Sequence, residues 1–411
     1  MLLTLADCIA RDAESPLAAL RARFAPGSAD TLYFDANSIG PMPADAPARM
    51  QALLRQGWAE ARRRGWNELD WLDQPAALGD AIARVLGAQA GDVRVCDSTS
   101  LNQYKLLRYA LGLKSPRRVI VLQRDVFPSN RYAAEGIAHA GLATLRFIDS
   151  AADLPAALAP GDVAVAALSH VDYRSSERLD MAAMNAQVRS AGALSLWDLS
   201  HSAGAVAIAL RATDTDLAVG CGYKYLCGGP GAPAFVYMHP RHAGDAWPAA
   251  CGWMGHAATF DFEPGYRPAP GTDRFLVGTP PVLAQAAFAA AAAIWREVDP
   301  GALDARHRSL TDTLIRLLDE QCAGFGLELA SPREHARRGG HVALRFAHAA
   351  AMAQALVAHG VVVSARKPDA LRLAPHPLAT THEQLWTAVA RLRALLQDEA
   401  WREPRYQQAS V

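Results

Sequence analysis

The chain carries no excess charge of either sign, with 41 lysines and arginines against 41 aspartates and glutamates. Nothing in that balance points to nucleic acid, an anionic membrane or an acidic partner. Long apolar runs are missing as well. The apolar opening Met1–Leu5 is broken at once by Asp7, Arg11 and Asp12, so no signal-peptide core follows. The alanine-rich stretch Val282–Ile294 contains Gln285 and falls short of the roughly 18 apolar residues that a membrane helix needs. Cysteine is sparse: Cys8, Cys96, Cys221, Cys227, Cys251 and Cys322 form no CxxC pair and no metal-like cluster. They read as reduced thiols of a cytoplasmic protein, and no metal site is expected.

What is present is a globular composition, 51% hydrophobic and 20% charged. At 411 residues the chain is too long for one ordinary domain. Short apolar runs recur at Val119–Leu122, Val163–Leu168, Leu194–Trp197, Leu217–Cys221 and Ala234–Met238. They lack polar alternation, as strands buried on both faces do. Amphipathic stretches lie between them, Tyr132–Ala140 and Met181–Ser190 among them. The pattern predicts an α/β domain with a parallel sheet flanked by helices. Val282–Glu297 reads as a long helix closed by Pro300-Gly301. Beyond it, a helix over Arg306–Cys322, strands at His341–Phe346, Val361–Ala365 and Leu371–Leu373, and helices at Ala349–His359 and Thr381–Gln397 form a smaller α+β unit. The expected division is an arm over 1–45 that belongs with the small domain, a large domain over 46–300 and a small domain over 301–411.

The chemistry concentrates between Trp197 and Gly231. A buried strand delivers Asp198 at its C-terminal end, where ligands collect in open α/β sheets, and Leu-Ser-His-Ser-Ala-Gly follows. Helix capping is the plain alternative for such an aspartate. Further on, Gly220-Cys-Gly-Tyr-Lys-Tyr-Leu-Cys-Gly-Gly-Pro-Gly231 places Lys224 in a glycine-rich turn after another buried strand. A lysine among small and aromatic residues is poorly solvated, which suits it to Schiff-base chemistry. An acid and a lysine on neighbouring strand ends are what pyridoxal phosphate requires, one for its ring nitrogen and one for its aldehyde.

At this point the chain resembles the kynureninase family. The runs Trp197-Asp-Leu-Ser-His-Ser-Ala-Gly204, Gly220-Cys-Gly-Tyr-Lys-Tyr-Leu226 and Gly252-Trp-Met-Gly-His256 are similar to that family's in order, with Phe34-Asp-Ala-Asn-Ser-Ile-Gly-Pro41 and Asp97-Ser-Thr-Ser-Leu-Asn102 before them. The resemblance covers nearly the whole chain and weakens between about Asp304 and Arg338. It implies a fold-type I enzyme with a mostly parallel, seven-stranded-type sheet. It implies pyridoxal 5'-phosphate held as a Schiff base on Lys224, with Asp198 as the partner of the ring nitrogen, His201 beside the ring and Phe127 stacked on it. Thr99 and Ser100 fall where the family binds the phosphate, Tyr223 and Trp253 match further phosphate contacts, and Ser169 matches a serine of the cofactor pocket. Pro128, Ser129, Asn130 and Thr279 complete the implied cofactor set. Arg372 matches the arginine that grips the substrate carboxylate, with Asn37, Ser38, Trp66 and Trp71 as further substrate contacts. The reaction implied is hydrolysis of L-kynurenine, or a ring-substituted kynurenine, to an anthranilate and L-alanine. Lys224 would take the Cα proton and Tyr223 would help protonate Cβ. Trp253 is expected to reach the cofactor of a partner subunit, so a homodimer follows.

Four positions depart from the family's pattern. Asn130 stands where aspartate is usual, Ser176 where glycine is usual, Cys227 in place of a common asparagine, and Thr279 where some members have asparagine. Two other readings compete: another fold-type I enzyme, a class V aminotransferase or desulfurase, and a non-catalytic binding protein. A desulfurase needs a nucleophilic cysteine on a mobile loop, and Cys322 sits at a helix end instead. Intact Lys224, Asp198 and Arg372 argue for catalysis. Trp66 and Trp71 otherwise read as core, and the run Arg62-Arg63-Arg64 as a solvated helix face.

Overall fold

The computed structural model describes residues 2–28, 30–244 and 246–407. Its centre is a seven-stranded sheet in the order Val93–Val95, Phe235–Met238, Leu217–Gly220, Leu194–Asp198, Val163–Ser169, Val119–Gln123, Thr144–Ile148. Phe235–Met238 runs antiparallel to both of its neighbours, and the other pairings are parallel. The sheet is covered on both faces, and successive residues feed opposite cores. Val121 joins one hydrophobic cluster while Ile120 and Leu122 join the other. Burial on both sides is why Val163–Ser169 and Leu194–Asp198 are buried at every position and show no polar alternation.

Five strands fall on the apolar runs and two do not. Thr144–Ile148 is an edge strand that is exposed or half-buried except at Ile148 and carries Arg146, so it lacks the apolar signature. Val93–Val95 is too short to announce itself. The helix after Val119–Gln123 begins at Pro128, earlier than the amphipathic pattern suggests, because proline is well suited to a first turn. Pro300-Gly301 is corrected outright. It opens the helix Pro300–Gln321 rather than closing the preceding one, since the Asp299 side chain caps it by accepting the N–H of Ala302.

A second sheet of four antiparallel strands, Ser364–Arg366, Ala370–Leu373, Val342–Arg345 and Glu328–Leu329, packs with the helices Pro300–Gln321, Ala349–Ala358 and His382–Gln397. The stretch read as one strand over Val361–Ala365 is two, Val361–Val362 and Ser364–Arg366, in different sheets. The N-terminal segment shares this core. Leu3, Cys8, Leu32 and Phe34 belong to the same cluster as Leu314, Leu344 and Leu392, and Leu32–Tyr33 pairs in parallel with Val361–Val362. Among the described residues no helix is long and apolar enough to cross a membrane.

Candidate active site

The C-terminal edge of the large sheet gathers the polar residues. In register, Ser169 lies beside Asp198 and Asp198 beside Val219, so three adjacent strands end together. Asp198 caps no helix. Its Oδ1 accepts the main-chain N–H of Ser200 at 2.9 Å and its Oδ2 accepts the side-chain N–H of Asn130 at 2.7 Å. Ser169 donates its main-chain N–H to Oε1 of Gln123 at 2.8 Å. Beyond these strand ends opens a cavity of about 350 Å³ whose walls include Phe127, Ser169, Tyr173, Asp198 and His201.

Lys224 is half-buried, and its Nζ lies 2.8 Å from Nε2 of His201, a residue of the cavity wall, and 5.8 Å from the centre of the Phe127 ring. Burial of the amine lowers its pKa, against the smaller opposing pull of Cys221 and Asp198. Burial likewise drives His201 well below the ordinary histidine value, helped by Lys224. A neutral His201 therefore accepts a Lys224 N–H at Nε2 and carries its own proton on Nδ1, a buried atom with no partner among the described residues. Tyr223 is pushed up to about 12 by burial, then by Cys221 and Asp198, and keeps its phenolic proton through the neutral range.

The turn that carries Lys224 is held by close backbone approach. Gly40 donates its N–H to the carbonyl of Tyr223 at 2.8 Å, and a Cβ at Gly40 would meet the Lys224 carbonyl oxygen at 2.1 Å. The N-terminal arm is thus pressed against the lysine turn. Asn37, on the same arm, is buried with neither amide atom partnered among the described residues, while Ser38 Oγ donates to Oδ1 of Asp35 at 2.9 Å. Ser364 Oγ donates to the same oxygen at 2.6 Å and accepts NH2 of Arg372 at 2.8 Å. Arg372 is 1% exposed, donates NH1 to the carbonyl of Tyr173 at 2.6 Å and leaves Nε without a partner among the described residues. Burial brings its pKa down to about 10, which still leaves it charged at neutral pH. Tyr173 in turn meets Phe127 edge-on, with ring centres 5.4 Å apart.

Thr99 and Ser100 are the first residues of the helix Thr99–Leu113, which Ser98 caps by accepting the N–H of Leu101. Thr99 Oγ1 is buried without a partner among the described residues, and Ser100 is exposed. Phe127 precedes the helix Pro128–His139, so Pro128 and Ser129 form its first turn. Other expected residues lie apart. Trp66 and Trp71 meet edge-on at 5.3 Å and line a separate hollow with Trp58, Arg62 and Arg63. Trp253 is 40% exposed beside Phe260, and Thr279 is exposed. The run Arg62–Arg64 is exposed, as expected, but forms a short 3-10 turn.

Several residues escaped the sequence reading. Tyr173 acts through its carbonyl, which residue type does not signal, and Gln123 through a side-chain oxygen that accepts a main-chain N–H. Asp35 and Ser364 matter only because the arm and the small sheet meet. Two departures now have a backbone reason. Ser176 and Cys227 adopt φ of +65° and +59°, the left-handed region in which glycine and asparagine are at ease. Cys227 is buried, its Sγ 3.1 Å from Nε2 of His376, and burial raises its pKa well above the ordinary thiol value, which disfavours the thiolate.

A family model described as the kynureninase C-terminal domain matches residues 303–392. A kynureninase of Burkholderia pseudomallei (strain 1106a) is 41% identical over 407 residues, 97% of each chain. One of Pseudomonas fluorescens is 40% identical over 408 residues, 98% of this chain and 97% of its own. Among solved structures, a C-DES variant with glycine covalently linked to its PLP cofactor superposes with a TM-score of 0.76 at 22% identity, covering 91% of this chain and 98% of its own. That last likeness concerns the fold.

Proposed function

The chain belongs to the kynureninase family, and from that premise we propose how its residues share the work. It is a pyridoxal-phosphate-dependent hydrolase that cuts the Cβ–Cγ bond of L-kynurenine, or of a ring-substituted kynurenine, and gives an anthranilate and L-alanine. The observation that carries the residue assignment is the approach of Lys224 Nζ to His201 Nε2 at 2.8 Å, where His201 and Asp198 both line the cavity.

The residues fit the cofactor. A lysine, a doubly hydrogen-bonded carboxylate, an aromatic ring over the amine and a buried, unpartnered threonine hydroxyl converge on one strand edge. Lys224 would hold the aldehyde carbon, Asp198 the ring nitrogen, and Phe127 with His201 the ring. Thr99, Ser100, Tyr223 and Trp253 would hold the phosphate, with Pro128, Ser129, Asn130, Ser169 and Thr279 around them. When bound, the cofactor supplies an electron sink for charge developing on the substrate carbons.

The remaining work falls to side chains. The lowered pKa of Lys224 makes its neutral amine available as a base for the Cα proton. His201, neutral and fixed at Nε2, accepts an N–H of that amine once it is charged and keeps it aligned. Tyr223, with its proton retained, would donate it to Cβ as the aryl fragment leaves. Arg372 stays charged and receives the α-carboxylate, its plane set by the Tyr173 carbonyl and Ser364. Asn37 offers the substrate an amide with no other partner, and Ser38 lies beside it. We assign Trp66 and Trp71 to the aryl end of a site completed by a second subunit. The exposed Trp247, Trp253, Phe260 and Phe262 support a homodimer that buries them. The proposed units are the arm 1–45 with the small domain 301–411, and the large domain 46–300, in a cytoplasmic enzyme.

A desulfurase reading lacks its nucleophile, because five of the six cysteines are buried and Cys251, the exposed one, has its pKa raised. The test is direct. Incubation with kynurenine should release anthranilate, read by its fluorescence, and Lys224→Ala should abolish the signal. Borohydride should bleach the yellow protein and fix the cofactor on Lys224. An adduct on another lysine, or no anthranilate, overturns the assignment.

A further inference from the structure

Lys105 lies in the helix Thr99–Leu113 with its side chain 0% exposed. A buried ammonium is costly to desolvate and persists only where it is paired and hydrogen-bonded. Its Nζ is 2.6 Å from Oδ2 of Asp97, 2.7 Å from the main-chain oxygen of Phe275 and 3.6 Å from Sγ of Cys96. Three donors therefore face three acceptors drawn from two separate segments.

The first segment is the turn into the helix. Asp97 sits at φ +44°, a left-handed conformation that costs a residue with a Cβ. Its side chain is tied to Lys105, and its carbonyl accepts the N–H of Ala234 at 2.8 Å. One residue earlier, the carbonyl of Cys96 accepts Nδ2 of Asn102 at 2.7 Å. These bonds fix the chain immediately before Ser98, Thr99 and Ser100. The second segment is Gly271–Phe275 and its continuation. The carbonyl of Val277 accepts the N–H of Met254, and a Cβ at Gly252 would meet that oxygen at 2.0 Å, so the Trp253 turn rests on the same strip of chain that leads to Thr279.

We propose that Lys105 is a positioning residue for the cofactor phosphate, holding the Thr99–Ser100 turn and the Phe275–Thr279 strip in register without touching the phosphate itself. This rests on the reading above that Thr99 and Ser100 bind that phosphate. The two ideas separate when the apoprotein is titrated with pyridoxal phosphate and with pyridoxal. Both aldehydes can condense with Lys224, but only one carries a phosphate. Thr99→Ala should weaken pyridoxal phosphate and spare pyridoxal. Lys105→Met, which keeps the stem and deletes the charge, should raise the Kd of pyridoxal phosphate by roughly ten- to a hundredfold, the scale of a lost charged hydrogen bond, and move that of pyridoxal by less than about twofold. Asp97→Asn should act in the same direction more weakly, since the Phe275 carbonyl still holds the ammonium. If Lys105→Met fails to fold, Asp97→Asn decides by the same comparison. Equal weakening of both aldehydes, or none, beside a selective Thr99→Ala would make Lys105 a purely structural residue. An unselective Thr99→Ala would remove the phosphate reading and the proposal with it.

Discussion

Asn130 donates its side-chain N–H to the Asp198 carboxylate, Nδ2 to Oδ2 at 2.7 Å, and both side chains are buried. The other oxygen takes the Ser200 N–H at 2.9 Å, so two donors fix the plane of one carboxylate. An aspartate at position 130 would set two carboxyls at hydrogen-bond distance in a buried place, where both cannot ionise. One would keep a proton with its folded pKa above the unfolded value of about 3.9. A raised carboxyl pKa means that stability is lost as pH rises through it, at about 1.4 kcal/mol per unit of separation. Apo Asn130→Asp should therefore melt close to the parent near pH 4 and several degrees below it at pH 8. Asn130→Ala should show a gap that does not widen with pH. Parallel melting curves for the aspartate variant and the parent across this range would mean that the two side chains do not face each other.

The guanidinium of Arg372 is oriented by the Tyr173 carbonyl and the Ser364 hydroxyl. Arg372→Ala should leave the visible band of the cofactor unchanged and lower kcat/KM by roughly 10- to 150-fold, the range for a lost charged hydrogen-bond pair. Arg372→Lys should recover only part, because an ammonium has no fixed plane. Arg345, 62% exposed and near Glu328 and Asp369, and Arg366, which donates to the carbonyl of Ala365, are the controls. Alanine at either should change kcat/KM little. Steady-state kinetics on the four variants test the assignment, and a parent-like Arg372→Ala ends it.

Fold and site differ in how much of each the sequence discloses, and the reason is physical. Strands buried on both faces are uniformly apolar, so Val163–Ser169 and Leu194–Asp198 stand out, and the residues at their ends can be named. The edge strand Thr144–Ile148 is half-buried over most of its length and carries Arg146, so it lacks the apolar signature. Pro300-Gly301 is ambiguous as a word; only the Asp299 side chain decides that it begins a helix. Lys224 and Asp198 are legible as residue types with a known chemical use. The contacts that orient them are not. The Tyr173 carbonyl that holds Arg372 comes from 199 residues away, and a carbonyl carries no residue signature.

Ser176 shows how a departure in residue type can be read from backbone geometry. It is buried at φ +65°, its Oγ accepts the N–H of His341 at 3.2 Å, and its carbonyl accepts the N–H of Gly339 at 2.7 Å. Glycine there would release the left-handed cost of about 1–2 kcal/mol but forfeit a hydrogen bond worth about 1 kcal/mol. Ser176→Gly should therefore be close to neutral. Ser176→Ala keeps the Cβ and loses the hydroxyl, so it should be less stable than the glycine variant by about 1 kcal/mol or more. Denaturant midpoints measure the gap. An alanine variant at least as stable as the glycine one would contradict the left-handed backbone.

Asp12 ties the N-terminal helix Leu5–Ala13 to the start of His382–Gln397. Its Oδ1 accepts the main-chain N–H of His382 and NH2 of Arg306, each at 2.9 Å, and its Oδ2 accepts the main-chain N–H of Glu383 at 3.1 Å. Burial alone would raise this carboxyl, but the bonds from His382, Arg306 and Glu383 outweigh it and hold it far below the ordinary aspartate value. A depressed carboxyl contributes stability that is present above the unfolded pKa of about 3.9 and is lost as pH falls toward the folded value. Asp12→Asn should thus cost about 1–3 kcal/mol at pH 7. The difference from the parent should hold down to about pH 5 and shrink steadily below it. Hydrogen exchange should show the amides of Leu5–Ala13 losing protection in the variant before those of the large sheet, because the arm is the part that this carboxylate fastens. A stability gap that stays constant down to pH 2, or exchange that rises everywhere at once, would assign the effect to something other than the ionised Asp12.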